Sequence, residues 1–113
     1  ALTLGAFGGI DILVNNAGVS WAAPAEDMPL EKWRHVLDVN LTGAFLFSQQ
    51  AGRHMLKRGS GRIINVASIN GMYGGLVMKE THLSGYVASK AGLIGLTQEL
   101  AARWGPHGIR VNA

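Results

Sequence analysis

Tyr86 and Lys90 stand four residues apart in the run Tyr-Val-Ala-Ser-Lys, the spacing that places two side chains on one face of a helix. A free tyrosine titrates near 10, so by itself it is a poor base at neutral pH. An ammonium about 4–5 Å away, at an effective dielectric of about 20, stabilises a phenolate by roughly 3–4 kcal/mol. That is enough to make the pair competent for proton transfer near neutral pH. The same spacing is also common on solvated helix faces, so the assignment depends on what else the chain brings to this position.

Asn40 falls on the apolar stripe marked by Trp33, Leu37, Leu41 and Ala44. A buried amide needs partners. It either makes a packing hydrogen bond, or holds a water or distorts its helix beside a site. Ser68 directly follows an apolar run and is either a turn serine or a hydroxyl set at a strand end. His35, His54, His82 and His107 show no metal-ligand spacing with one another or with carboxylates, so no metal centre is expected. Trp21, Met72, Tyr73 and Met78 could line a substrate pocket or pack over the core.

These residues need elements to position them. The apolar run at 11–14, between Gly8-Gly9 and Asn15-Asn16-Ala17-Gly18, predicts a strand. Pro24 and Pro29 punctuate a loop, and helical spacing from Leu30 to about Arg58 predicts one long helix ended by Gly59-Ser60-Gly61. Residues 62–67 predict a second strand, apolar on both faces through Ile63, Ile64 and Val66, as in a strand covered from two sides. Residues 68–83 read as a glycine-rich loop. Ser84 is the expected N-cap of a helix running to about Trp104 and closed by Gly105-Pro106 and Gly108. A third strand starts at Ile109.

Crossovers this long join parallel strands, and they are right-handed as a rule. The expected fold is therefore an α/β layered sheet in the order strand, helix, strand, helix, strand. Ligands of open parallel sheets bind beyond the carboxyl ends of the strands. Here those ends lead into residues 15–18 and 68–71, and the helical turn holding Tyr86 begins near the same edge. Gly85, Ala88, Gly92 and Gly95 recur along one side of the last helix and would permit close packing, on the sheet or against another subunit.

With 113 residues, 48% apolar and 15% charged, the chain suits one compact domain over 1–113 and argues against disorder. The absence of cysteine excludes a disulfide framework and a thiolate metal site, and fits a reducing compartment. No apolar run approaches the roughly 20 residues of a membrane span, and no signal peptide is visible; a cytoplasmic location without membrane association is expected. The net charge of +3 comes with Arg53, His54, Lys57, Arg58 and Arg62 around one predicted helix end, where cations complement the dipole. With no aromatic interleaving and no binding motif, no nucleic-acid partner is expected. The chain starts without methionine and stops inside a strand-like run, so it is read as a fragment of a longer protein.

Taken together, the motifs resemble those of the short-chain dehydrogenase/reductases. They are Asn15-Asn16-Ala17-Gly18 after an Asp-Ile-Leu-Val strand, Asn40 in Asp-Val-Asn-Leu-Thr-Gly, Ser68 after Arg-Ile-Ile-Asn-Val-Ala, Tyr86 and Lys90 in Tyr-Val-Ala-Ser-Lys, and the closing Gly-Ile-Arg-Val-Asn-Ala. Each is weak alone; in this order they cover essentially the whole chain. The resemblance implies a Rossmann-like fold and reversible hydride transfer between NAD or NADP and an alcohol or carbonyl substrate. It makes Tyr86 the catalytic acid/base and Lys90 the residue that holds the nicotinamide ribose and lowers the tyrosine pKa, with both among the cofactor-binding residues. Ser68 would hydrogen-bond the reacting oxygen, and Asn40 would anchor a water of the proton relay. Asn15, Ala17 and Gly18 would support the sheet and lie along the cofactor. A homodimer or homotetramer of the full-length parent is likewise implied.

Two departures stand out. The family's glycine-rich phosphate turn and its NAD-or-NADP selecting residue do not occur in this chain, nor does its C-terminal substrate region, so the isolated 113 residues are expected to bind cofactor weakly and to be inactive. The Ser68–Tyr86 interval is also long; its extra residues, within 74–83 and including Lys79, Glu80 and His82, resemble those of sugar-acid and polyol dehydrogenases such as the gluconate dehydrogenases, or form a neutral surface insertion. A 3-oxoacyl carrier-protein reductase shares the same motifs, and a non-catalytic scaffold of the same fold is the wider rival. A scaffold has no physical need for Asn40, Ser68, Tyr86 and Lys90 together.

Overall fold

A computed structural model describes residues 2–113. Strands β1 (Ile12–Asn15), β2 (Gly61–Asn65) and β3 (Ile109–Asn112) form one parallel sheet in the order β1-β2-β3. The register sets Asn15 opposite Asn65 and places Ile63 between Leu13 and Val111. Helices lie along one side, giving the α/β order expected from the residue pattern. A short helix, α1 (Leu2–Phe7), precedes β1 and buries none of its residues.

The first crossover is the long helix with a defect in it. It comprises α2 (Leu30–Leu37), a π turn (Asp38–Thr42) and α3 (Gly43–Arg58). Pro29 precedes α2 in an extended conformation (ψ 131°), which suits a helix start. At the other end Gly59 takes φ 71°, and the Gly59 and Ser60 amides reach back to Leu56 and Met55 carbonyls. Such a left-handed residue satisfies the last carbonyls and stops the helix.

The second crossover departs from the expected loop. Residues 70–73 form a one-turn helix, α4 (Asn70–Tyr73), followed by a 3-10 turn (Gly74–Leu76) before α5 (Ser84–Trp104). Ser84 is the first helical residue and not the cap. Leu83 occupies the cap position (φ −124°, ψ 48°) with no side-chain cap, and its carbonyl accepts the Val87 amide at 2.9 Å.

Ala51, Met55, Leu100, Ile63, Ile109 and Val111 form the core between helices and sheet. Ile12, Val14, Ile64 and Val66 point the other way and are 42–56% exposed. Among the described residues, helices therefore cover one face of the sheet, not the two expected for β2. The radius of gyration, 15.6 Å, exceeds the ~13 Å of a compact domain this long, as a two-layer slab requires. Two of the small residues of α5 pack against helices of the same chain. A Cβ at Gly85 would lie 3.5 Å from Trp33, and one at Gly92 would collide with Leu41, while Gly95 faces open space. Gly85 and Gly92 allow α5 to approach α2 and the π turn within the chain.

Candidate active site

The carboxyl ends of β1 and β2 are tied to the helix layer by a buried polar network. Asn15 Nδ2 donates to Asn65 Oδ1 (2.8 Å) and Ser48 Oγ (3.0 Å), with a longer contact to the Ala44 carbonyl (3.4 Å). Asn65 Nδ2 donates to Thr97 Oγ1 (2.9 Å), whose hydroxyl donates to the Leu93 carbonyl (2.7 Å). Amides and hydroxyls this deep are stable because they satisfy one another. The Asn15 side chain is thereby spent on fixing the strand end. Beside it, Asn15, Asn16, Ala17, Val39 and Asn40 line a crevice of about 350 Å³.

Asn40 lies in the π turn and is 1% exposed. Its Oδ1 accepts the Val19 amide (2.8 Å), and its Nδ2 donates to the Val19 carbonyl (2.8 Å) and Ser89 Oγ (3.0 Å). Ser89 Oγ donates in turn to the Tyr86 carbonyl (2.7 Å). One amide thus locks the chain after β1 to the first turns of α5. The Gly43 amide bonds the Asp38 carbonyl, five residues back, so the Val39 carbonyl forfeits the donor that a regular helix would give it. Asn40 thus makes packing hydrogen bonds and lies where the helix is distorted.

Lys90 is 4% exposed, and its ammonium donates to the Val66 carbonyl just past β2 (2.7 Å). The same Nζ sits 5.6 Å from the centre of the Tyr86 ring. A lysine ammonium has three N–H groups, and only this one bond is made within the described chain. The Tyr86 hydroxyl has no protein partner among the described residues. A Cβ on Gly18 would stand 3.6 Å from Asn40 Oδ1 and 3.7 Å from Lys90 Nζ, so the backbone after β1 lies directly over both.

Ser68 follows β2, and its Oγ accepts the Asn70 backbone amide at 3.1 Å. Next to it, Gly71 seats α4 on α5. A Cβ there would lie 2.8 Å from the Lys90 carbon and the Ala91 nitrogen, both rigid backbone atoms. The segment carrying Ser68 is therefore pressed against the turn carrying Lys90. Asn40, Tyr86 and Lys90 are linked by hydrogen bonds or ring contact; Ser68 joins them through Val66 and Gly71.

The residue pattern did not single out Ser48, Asn65, Ser89, Asn70 or Thr97. The one available signal was Asn65, an amide inside an otherwise apolar strand. Of the four residues offered as pocket lining, Met78 borders a cleft with Asn70 and Val87. Trp21 stacks under Lys32 (4.3 Å), and Met72 and Tyr73 are exposed. Among the described residues no three His, Cys, Asp or Glu side chains converge on a metal-sized site, and no helix is long and apolar enough to cross a membrane.

A family profile described as short chain dehydrogenase matches residues 3–113. The chain belongs to the short-chain dehydrogenases. Within this family it is 52% identical over 104 residues to a 2-dehydro-3-deoxy-D-gluconate 5-dehydrogenase of Bacillus subtilis, covering 92% of the chain and 39% of the relative. A crystal structure from Beutenbergia cavernae, provisionally named an NAD(P)-dependent gluconate 5-dehydrogenase and holding NADP at low occupancy, superposes with TM-score 0.88 at 44% identity, covering 97% of this chain and 42% of that one. NAD+-bound xylitol dehydrogenase superposes with TM-score 0.90 at 38% identity, covering 99% and 42%. This short-chain dehydrogenase sequence thus spans about two fifths of the length of the relatives it matches.

Proposed function

We propose that the full-length protein carrying this chain transfers hydride between NAD or NADP and an alcohol or carbonyl, with Tyr86, Lys90, Ser68 and Asn40 as its working residues. The observation that carries the reading is the buried Lys90 side chain, its ammonium bonded once to the Val66 carbonyl with two N–H groups unspent, 5.6 Å from the centre of the Tyr86 ring. Leaving ammonium donors bare on a side chain only 4% exposed is costly unless a ligand takes them. Ribose hydroxyls of a nicotinamide nucleotide fit that need, and the crevice along Asn15–Ala17 and Asn40 lies at the strand ends where nucleotides sit in such sheets.

When bound, the nicotinamide supplies or receives the hydride. In the reducing direction Tyr86 gives its proton to the substrate oxygen as that oxygen gains charge. Ser68 Oγ donates a hydrogen bond to the same oxygen, and the Lys90 ammonium stabilises the phenolate left behind. Asn40 acts through the π turn. Its amide is committed to Val19 and Ser89, so a relay water would take a helix carbonyl freed there. Oxidation of an alcohol runs the same steps in reverse.

The relative named for a gluconate derivative, 52% identical, supports a small polyol or sugar acid as substrate; an acyl thioester, as for a 3-oxoacyl carrier-protein reductase 44% identical to this chain, is the rival. Association of identical copies belongs to the same reading, supported by Phe45, Leu46 and Phe47 standing 42–66% exposed on α3. The test is nucleotide reduction by the full-length protein across polyols, sugar acids and hydroxyacyl thioesters. Reduction with a polyol or sugar acid is expected. Preference for the thioester would support the carrier-protein reductase reading, and nucleotide binding without turnover of any substrate would support a scaffold.

A further inference from the structure

Asn70 opens α4 two residues beyond Ser68 and is 7% exposed. Its backbone amide makes the bond to Ser68 Oγ, so its side chain has no part in that contact. Side-chain Oδ1 is buried without any hydrogen-bond partner, and Nδ2 meets only the Met78 thioether, at 3.6 Å. Turning the amide over does not help, because sulfur is a weak acceptor and no donor, and the other end would then be bare. A buried amide left this way is costly to the folded state and marks a place where a ligand or a water completes the set.

The amide lines a cleft of about 320 Å³ together with Ala23, Met78, Lys79, His82 and Val87. Val87, the residue after Tyr86, lines the cleft, and Asn70 is tied to Ser68 through its backbone amide, so the cleft adjoins the segments that carry both. Met78 covers the amide with an unbranched, 45% exposed side chain that can swing aside for an entering molecule.

We propose that the Asn70 amide recognises a substrate hydroxyl other than the one being oxidised, and so selects polyhydroxylated substrates over alcohols with a single hydroxyl. This rests on the oxidoreductase reading above and deepens it. In its bound state Oδ1 accepts the hydrogen of that hydroxyl, and Nδ2 exchanges sulfur for the hydroxyl oxygen. A site built to hydrogen-bond a substrate hydroxyl discriminates strongly against analogues lacking it, because its own buried polar group then stays unpaired.

The test uses the full-length protein with saturating NAD+ or NADP+ and three alcohols: xylitol, gluconate and cyclohexanol. Wild type, Asn70→Leu and Asn70→Ala are compared; the first substitution keeps the bulk and the second leaves space, and both retain the backbone bond to Ser68. Wild type is expected to favour xylitol or gluconate, and whichever is favoured tells a neutral polyol from a sugar acid. Both variants should lower the ratio of kcat/KM for that substrate to kcat/KM for cyclohexanol by about 10- to 100-fold. Most of the loss should appear in KM, which also serves where cyclohexanol turnover is too slow to follow. Thermal unfolding of each variant checks that it is folded.

An unchanged ratio, as a role in holding water alone would give, overturns the inference. So does a loss confined to Asn70→Leu, which would be steric, or a wild type that prefers cyclohexanol. A wild type that oxidises no alcohol with either nucleotide overturns the oxidoreductase reading itself, and the inference with it.

Discussion

A lysine 4% exposed with a single protein hydrogen bond is an unusual commitment of charge, since ammonium groups are buried at high cost unless they are paired. Lys90→Met removes the unspent N–H donors while keeping the bulk. It is expected to weaken nucleotide binding at least about tenfold, read by titration calorimetry on the full-length protein, and to cut kcat as well. Asn40 is a different case, because its bonds are all made. Asn40→Ala strips the Val19 amide and carbonyl and the Ser89 hydroxyl of their partner, and should cost about 2–4 kcal/mol in chemical denaturation. Ser68→Ala leaves the Asn70 amide without its acceptor, at a cost of about 1 kcal/mol of stability, and should lower kcat about 100-fold, the usual effect of losing one donor to a developing oxyanion.

The elements explain why those side chains meet. The π turn lets Asn40 face both Val19 and Ser89, and Gly71 lets α4 lie on the backbone of α5. Gly71→Ala must push these backbones apart and is expected to cost about 1–3 kcal/mol in unfolding free energy, with a fall in kcat as Ser68 moves from Lys90. Apolar periodicity revealed both long helices because it extends over many residues, and the strands showed as short apolar runs bounded by turn residues. The π turn escaped it, since the stripe through Trp33, Leu37, Leu41 and Ala44 runs on across the defect. The four residues of α4 are too few to show a period, and Ser84 looked like a cap because its residue type suits one. For the site, the types and spacings of Tyr86, Lys90, Ser68 and Asn40 were visible in the residues. The Lys90 bond to the Val66 carbonyl and the unpartnered Asn70 oxygen were not, because backbone acceptors and missing partners leave no trace in a residue pattern.

At the scale of the whole chain, the slab has one apolar face bare: Ile12, Val14, Ile64 and Val66. Contiguous exposed apolar surface promotes association. The 113 residues alone should therefore bind a hydrophobic dye and self-associate, and the pair Val14→Lys and Ile64→Lys should reduce both, as followed by dye fluorescence and light scattering. The sequence also has no G-x-G-x-x-G turn to hold a pyrophosphate, so calorimetric titration of the isolated chain with NAD(H) or NADP(H) should show no micromolar binding. The proposed activity of the full-length protein turns on one phenol. In the full-length protein, Tyr86→Phe removes a single hydroxyl that has no partner within the described chain. Measured together, nucleotide affinity should stay within about threefold of wild type while kcat falls about 1000-fold, the range expected for losing the general acid/base. A phenylalanine variant that keeps wild-type turnover on every accepted substrate would contradict it.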